Sequence, residues 1–194
     1  MFIGVSGVAG SGKDFFVERL IESLKKRGKL AKRFSLADNL KVEARSAILK
    51  KYGIDPTNCS REDKDIIRPE LVKIAKQKRK DTSGRYWIDK LESRIEESEL
   101  CDYYCISDIR YAEYESDELS WIKKEKKGIL VHVCKYYLED AAARVHLPAN
   151  SEEGRNDPIL AENADYHVLW RHGTSNPEKV IDGFLNWLNS NEKT

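Results

Sequence analysis

The chain has no long apolar run. None of its hydrophobic stretches approaches the ~20 residues a bilayer-spanning helix needs, so a membrane role is not expected. It also has no excess of charge of one sign: 34 basic residues stand against 33 acidic ones, a formal net charge of +1. Proteins built to grip duplex nucleic acid are normally lopsided, because they release counterions with many unpaired cations, and such a partner is not expected here. Cysteine is scarce. Cys59, Cys101, Cys105 and Cys134 form no Cys-x-x-Cys pair, and three of them lie in or beside apolar strand-like runs. That usage fits free thiols in a reducing compartment. No signal peptide precedes the first apolar run, which starts at residue 2, and a soluble cytoplasmic protein is the expectation. Internal repeats, low-complexity tracts, linkers and a histidine in a catalytic pattern are all lacking.

What is present begins at once. Phe2 to Ser6 is a short apolar run feeding into Gly7-Val8-Ala9-Gly10-Ser11-Gly12-Lys13-Asp14, after which Phe16, Leu20 and Leu24 recur at helical spacing. Strand, glycine-rich loop and helix in that order are the setting in which Gly-x-x-x-x-Gly-Lys acts as a phosphate cradle. Phosphate oxygens need several N–H donors converging on a small volume. Glycines let the backbone bend into that shape, and the first helical turn adds unpaired N–H groups and a positive dipole end. Lys13 supplies a mobile charge for the β- and γ-phosphates. Asp14 stands where a hydroxyl residue usually follows. It can serve Mg²⁺ directly or through water, or simply favour the helix dipole.

Further along, strand and helix patterns alternate. Leu30 to Ser35 reads as a strand, with Asp38 as N-cap of a helix over about 39–51. Ser60 with Asp63 forms a cap pattern for another helix, which Pro69 should kink or interrupt. Lys73, Lys76, Lys78, Arg79 and Lys80 bring five cations without an acid, as a solvated face or as an anion-binding wall. A helix from Tyr86 to about 98 precedes the strand Cys101–Ser107, which ends at Asp108-Ile109-Arg110. Ligands of open parallel sheets sit beyond the carboxyl ends of strands, so this charged pair is well placed for chemistry. A charged helix is expected over 112–127, then a buried strand Ile129–Cys134 in which His132 is a core histidine. The polar stretch 136–158, with Arg144, His146 and Arg155, has the composition of a mobile lid. A strand over 165–170 and a helix from Asn176-Pro177 close the chain. The pattern predicts one three-layer α/β domain over 1–194, with a mostly parallel central sheet flanked by helices.

Ser6 to Asp14, with its Gly-Lys-Asp ending, resembles the phosphate loop of phage-type deoxynucleoside monophosphate kinases. Leu36-Ala37-Asp38-Asn39-Leu40-Lys41 is similar to their segment after the second strand, Asp108-Ile109-Arg110 to their Asp-x-Arg, and Asp165-Tyr166-His167-Val168 to their final strand. Arg171-His172-Gly173 departs from their pattern. Animal-type phosphomevalonate kinases are also similar, through Ser11-Gly12-Lys13-Asp14-Phe15, Ile67-Arg68 and Lys78-Arg79. The resemblance implies a P-loop kinase fold with an acceptor-binding helical region about 38–98. It implies ATP and Mg²⁺ on Gly7, Val8, Ala9, Gly10, Ser11, Gly12, Lys13 and Asp14, with Asp14 and Asp108 toward the metal. Asp38, Lys41, Arg68, Arg79 and Arg110 would hold a small phosphorylated acceptor, and Lys13, Asp108, Arg110 and a lid arginine (Arg144 or Arg155) would carry the transfer. A deoxynucleoside monophosphate is the first choice of acceptor. Phosphomevalonate, a hydroxymethylated base in DNA and a non-catalytic nucleotide-binding regulator are the alternatives, and a homodimer is left open.

Overall fold

The computed structural model describes residues 1–139, 142–173 and 176–191. Five strands run parallel in the order β2-β3-β1-β4-β6: Ala31–Phe34, Tyr103–Ile109, Phe2–Ser6, Ile129–Glu139 and Tyr166–Arg171. Their apolar runs are buried because helices cover both faces of the sheet. Helices α1 (Lys13–Lys26) and α7 (Pro177–Asn191) bury Phe16, Leu20, Ile181, Phe184 and Leu188 on one side. On the other, α4 (Tyr86–Glu96) and α6 (Ser151–Glu162) pack Trp87, Leu91 and Leu160 against Ile106, Ile109 and Leu130. The expected three-layer α/β arrangement is what the chain forms.

Two features position the site. Helices α2 (Leu36–Tyr52) and α3 (Arg61–Asp81) share a small core of Ala44, Ile48 and Ile67, and stand beside the ends of β2 and β3. Strand β4 outruns β1, and β5 (Ala142–Val145) pairs antiparallel with its outer half. Tyr136 is in register with both Arg171 of β6 and Val145 of β5, so β5 lies on the edge of β4 that β1 has vacated. That edge overlooks the loop following β1. The segment 136–158 is therefore the end of β4, a hairpin strand and the first half of α6; residues 140 and 141 lie outside the described residues.

Several local expectations need correction. Helix α2 starts at Leu36, and Ser35, not Asp38, occupies its N-cap position. Helix α3 runs on through Pro69 for 21 residues, started by the Ser60/Asp63 capping box. The stretch 112–127 is not one helix: α5 (Glu118–Ser120) is followed by a π-helical turn over Trp121–Glu125. The reason is Arg79. Its buried guanidinium gathers the residues before α5 around itself, stacking on Tyr111 at 3.4 Å and pairing with Glu113 and Asp117. His132 is a buried strand residue whose Nε2 lies 3.1 Å from Asp157, and all four cysteines are free thiols. Among the described residues, no helix is long and apolar enough to cross a membrane.

Candidate active site

The loop after β1 is shaped by close backbone approaches. At Gly7 (φ 131°) a Cβ would sit 2.2 Å from the Val133 carbonyl, so only glycine fits against β4. Gly12 (φ 99°) turns the chain into α1 from the left-handed region. The first-turn N–H groups of Lys13 and Asp14 have no carbonyl four residues back within the helix and are available to an anion. The Lys13 ammonium folds back over the loop and donates to the carbonyls of Gly7 (2.6 Å) and Val8 (2.8 Å). Burial, reinforced by the neighbouring Arg110 charge, brings it down to about 8. Among the described residues, the buried Ser11 hydroxyl has no partner.

Ala9, Gly10, Lys13 and Asp14 open onto one cleft of about 310 Å³ between the sheet and the α2–α3 pair. Its polar rim is dominated by cations: Lys13, Arg33, Lys41, Lys64, Arg68, Arg79 and Arg110 against only Asp14, Asp108 and Glu118. Leu36, Leu40, Leu71, Val72, Ala75 and Trp87 give it an apolar wall. A volume near 300 Å³ is at the small end of ligand sites, suited to one small molecule. At the mouth, Arg33 lies 3.3 Å from both Asp14 and Asp38, and Lys41 lies 3.7 Å from Asp38. Asp38 does not itself line the cleft; it holds these two cations in place. Arg68 lines the cleft and pairs with Asp65 one turn away.

The sequence points to Asp108 as a holder of metal and water. In the structure both its oxygens serve α2: Oδ1 accepts from Leu36 N–H, and Oδ2 from Ala37 N–H and the Ser35 hydroxyl, all at 2.8 Å. A strand-end carboxylate thus supplies the cap that Ser35 does not, and ties the acceptor-side helix to the sheet. Arg79, expected among the acceptor ligands, is first a structural ion. Its Nη2 lies 2.6 Å from Asp117 and its Nη1 3.2 Å from Glu113; among the described residues its buried Nε has no partner, and the side chain still lines the cleft. Arg110 sits at the cleft's inner corner, as expected.

Glu118 gives no sequence signal, yet it forms part of the cleft floor. Its Oε2 accepts from Arg110 N–H (2.6 Å) and Tyr111 N–H (3.1 Å). Burial, then the nearby Asp117 charge, pushes its carboxyl from an ordinary 4.5 up to about 8. The folded protein therefore keeps this proton between about 4.5 and 8 while the unfolded chain has released it, and stability falls as pH rises through that window. Glu118→Gln, neutral at every pH, should flatten that part of the profile. Urea unfolding of both proteins at several pH values across the window measures it.

The hairpin and α6 cover the loop from above. His146 Nε2 lies 2.8 Å from the Ala9 carbonyl, and Lys135 donates to the Gly10 carbonyl at 3.1 Å. Arg144 is exposed on β5 and is not among the residues lining the cleft; Arg155 is exposed on α6, 3.5 Å from Glu152. Neither lid arginine is among the described residues that line the cleft, while Glu153 reaches the loop itself and accepts from Ala9 N–H. Among the described residues no group of three or more His, Cys, Asp or Glu side chains could hold a metal ion unaided. Asp14 suits a Mg²⁺ ion that is held mainly by a nucleotide's phosphates, whereas Asp108, with both oxygens accepting from α2, fits only a place behind the ion's water.

No family model and no curated protein matches the chain. Among solved structures, it is similar to shikimate kinase from Acinetobacter baumannii in complex with shikimate: 14% identity, 100% of this chain and 95% of that one, TM-score 0.49. Shikimate kinase from Aquifex aeolicus gives 15% identity over 99% and 98% of the two chains, with a TM-score of 0.44. Dephospho-CoA kinase from Campylobacter jejuni gives 12% identity over 98% of each, with a TM-score of 0.45.

Proposed function

We propose that this chain is an ATP-dependent kinase that transfers the γ-phosphoryl group of ATP to a deoxynucleoside monophosphate, giving the diphosphate. One observation carries the reading. A glycine-shaped phosphate loop ending in a buried lysine opens directly into a small cleft that is cationic on its rim and apolar on one wall. That pairing of surfaces suits an acceptor with a phosphate at one end and a flat, weakly polar body at the other.

In this reading the triphosphate lies along Gly7–Asp14, and Lys13 leaves its two carbonyls to follow the charge that develops on the transferring group. The acceptor phosphate is held by Arg110, Arg68 and Lys41, and its base lies against Leu40, Leu71, Val72 and Trp87. Asp14 would hold the water shell of a bound Mg²⁺, and Asp108, whose two oxygens already serve α2, would reach it only through that water; the ion would supply charge neutralisation to the transferring group. The attacking oxygen of a monophosphate is already an anion, so no general base is required. Proximity and fixed charge do most of the work.

The test is ADP release with Mg·ATP, run against the four deoxynucleoside monophosphates and phosphomevalonate side by side. Turnover with one or more nucleotides is expected, and the ranking reports on the apolar wall. Turnover with phosphomevalonate alone keeps the transfer chemistry and replaces the acceptor. No turnover across the panel, with ATP still bound, refutes both small acceptors in favour of a hydroxymethylated base in DNA or a nucleotide-binding regulator.

A further inference from the structure

The cradle already contains an anion, and it belongs to the chain. Glu153, in the first turn of α6, is only 10% exposed. Its Oε2 accepts from Ala9 N–H of the phosphate loop and from Ala149 N–H, both at 3.1 Å, and its Oε1 lies 2.9 Å from Arg110 Nη1. A loop N–H on one side and an arginine fork on the other form the donor pair that would receive an oxygen of the transferring phosphoryl group. Two anions cannot share it: a phosphate oxygen entering beside Glu153 meets a like charge in a largely dehydrated place.

Glu153 is not held there by the cradle alone. Its neighbour Glu152 pairs with Lys76 of α3 at 2.6 Å. One turn on, Asn156 accepts from Ala112 N–H at 2.9 Å and donates to Glu113, which in turn binds Arg79 of α3. Helix α6 is thereby fastened to the same α3 helix that walls the cleft.

We propose that Glu153 is a built-in counter-anion: with the cleft empty it takes the place of a phosphoryl oxygen and holds Arg110 turned toward itself. Phosphate binding then requires α6 to withdraw the carboxylate, and the α3 contacts link that withdrawal to the acceptor side. Glu153 is a positioning residue, acting through Arg110 and the loop. The inference rests on the reading of Gly7–Asp14 as a phosphate cradle, and it holds whichever acceptor is used.

Calorimetric binding of inorganic pyrophosphate tests it without any need for turnover. Glu153→Gln should bind pyrophosphate at least ~10-fold more tightly than wild type, the scale of a coupling between two close charges. Glu162→Gln removes an equal charge from the exposed far end of α6, away from the α3 contacts, and should change affinity far less. Glu153→Asp and Glu153→Ala both shorten the side chain, but only Ala should reproduce the gain seen with Gln. Equal affinity of wild type and Glu153→Gln overturns the proposal, as does an equal gain in Glu162→Gln, or in Asp and Ala alike. Failure of the cradle reading looks different: neither wild type nor Glu153→Gln binds pyrophosphate, and the proposal falls with it.

Discussion

Lys13→Met should lower phosphoryl-transfer turnover by roughly 10²–10³-fold, the usual effect of removing one preorganised charge from a developing anion. The structure says why a longer-range cation cannot substitute. Among the described residues, Lys13 alone of the cationic side chains donates to the Gly7 and Val8 carbonyls, and it is buried where the loop opens into the cleft. Methionine keeps the stem's packing while removing the charge. It takes the lysine donor from the Gly7 carbonyl, while Val8 keeps its bond from Ser11 N–H at 3.1 Å, at about 1–3 kcal/mol, so the variant should remain folded with a lowered melting temperature. The same geometry makes a pH prediction. With the ammonium at about 8, Lys13 is charged below that value and neutral above it. Pyrophosphate affinity of the free protein should therefore fall as pH rises through about 8, and the fall should be shallower in Lys13→Met, where only Glu118, which loses its proton over the same range in the cleft floor, still contributes.

Arg79→Met should act on the fold before it acts on catalysis. The residue is 2% exposed, and its partner Asp117 is 1% exposed. Removing one member of a buried pair leaves the other charge uncompensated, typically at about 3–5 kcal/mol. For a chain of this size that corresponds to a loss of roughly 6–20 °C in melting temperature. Asp117 depends on Arg79 while organising its own loop: it accepts from Glu113 N–H at 3.0 Å and caps α5 through Glu118 N–H at 3.0 Å. Lysine should not rescue the variant, because a point charge can neither stack flat on Tyr111 nor engage Asp117 and Glu113 together. A purely acceptor-binding arginine would show the opposite pattern, a raised KM at unchanged stability. Thermal unfolding beside steady-state kinetics separates the two.

These two residues mark what the sequence could and could not show. Lys13 was legible because its information is local: glycine spacing, a preceding strand and a following helix are all read from consecutive residues. The Ser60/Asp63 cap and the buried setting of His132 were legible for similar reasons. Arg79 is visible in the sequence as one of five nearby cations and, through Lys78-Arg79, as an acceptor ligand, never as a buried ion. The carboxylates that claim it, Glu113 and Asp117, lie more than thirty positions away, and nothing in their spacing announces the meeting. Asp108 was marked as a site residue from its place at a strand end, but its bond to α2 depends on how β2 and β3 lie side by side. Glu118 and Glu153 gave no signal at all. Each is an ordinary acid in a charged stretch until a distant element closes over it. The layers and the cradle can be read from periodicity and glycine; which acid sits against which base is written in the tertiary contacts.

The bond between Asp108 and the start of α2 has a mechanical consequence. The helix is fixed to the sheet at Leu36 and Ala37 and extends for 17 residues, about 25 Å, toward Tyr52. It is a lever with its pivot in the cleft wall. A rotation of a few degrees about that pivot, too small to disturb the packing of Leu36, displaces the far end by more than an ångström. The far end of α2 is where such a tilt would be felt, and there Arg45 and Lys51 bind Asp55 of the α2–α3 loop and Glu70 of α3, so the tilt would be passed on to the helix that walls the cleft.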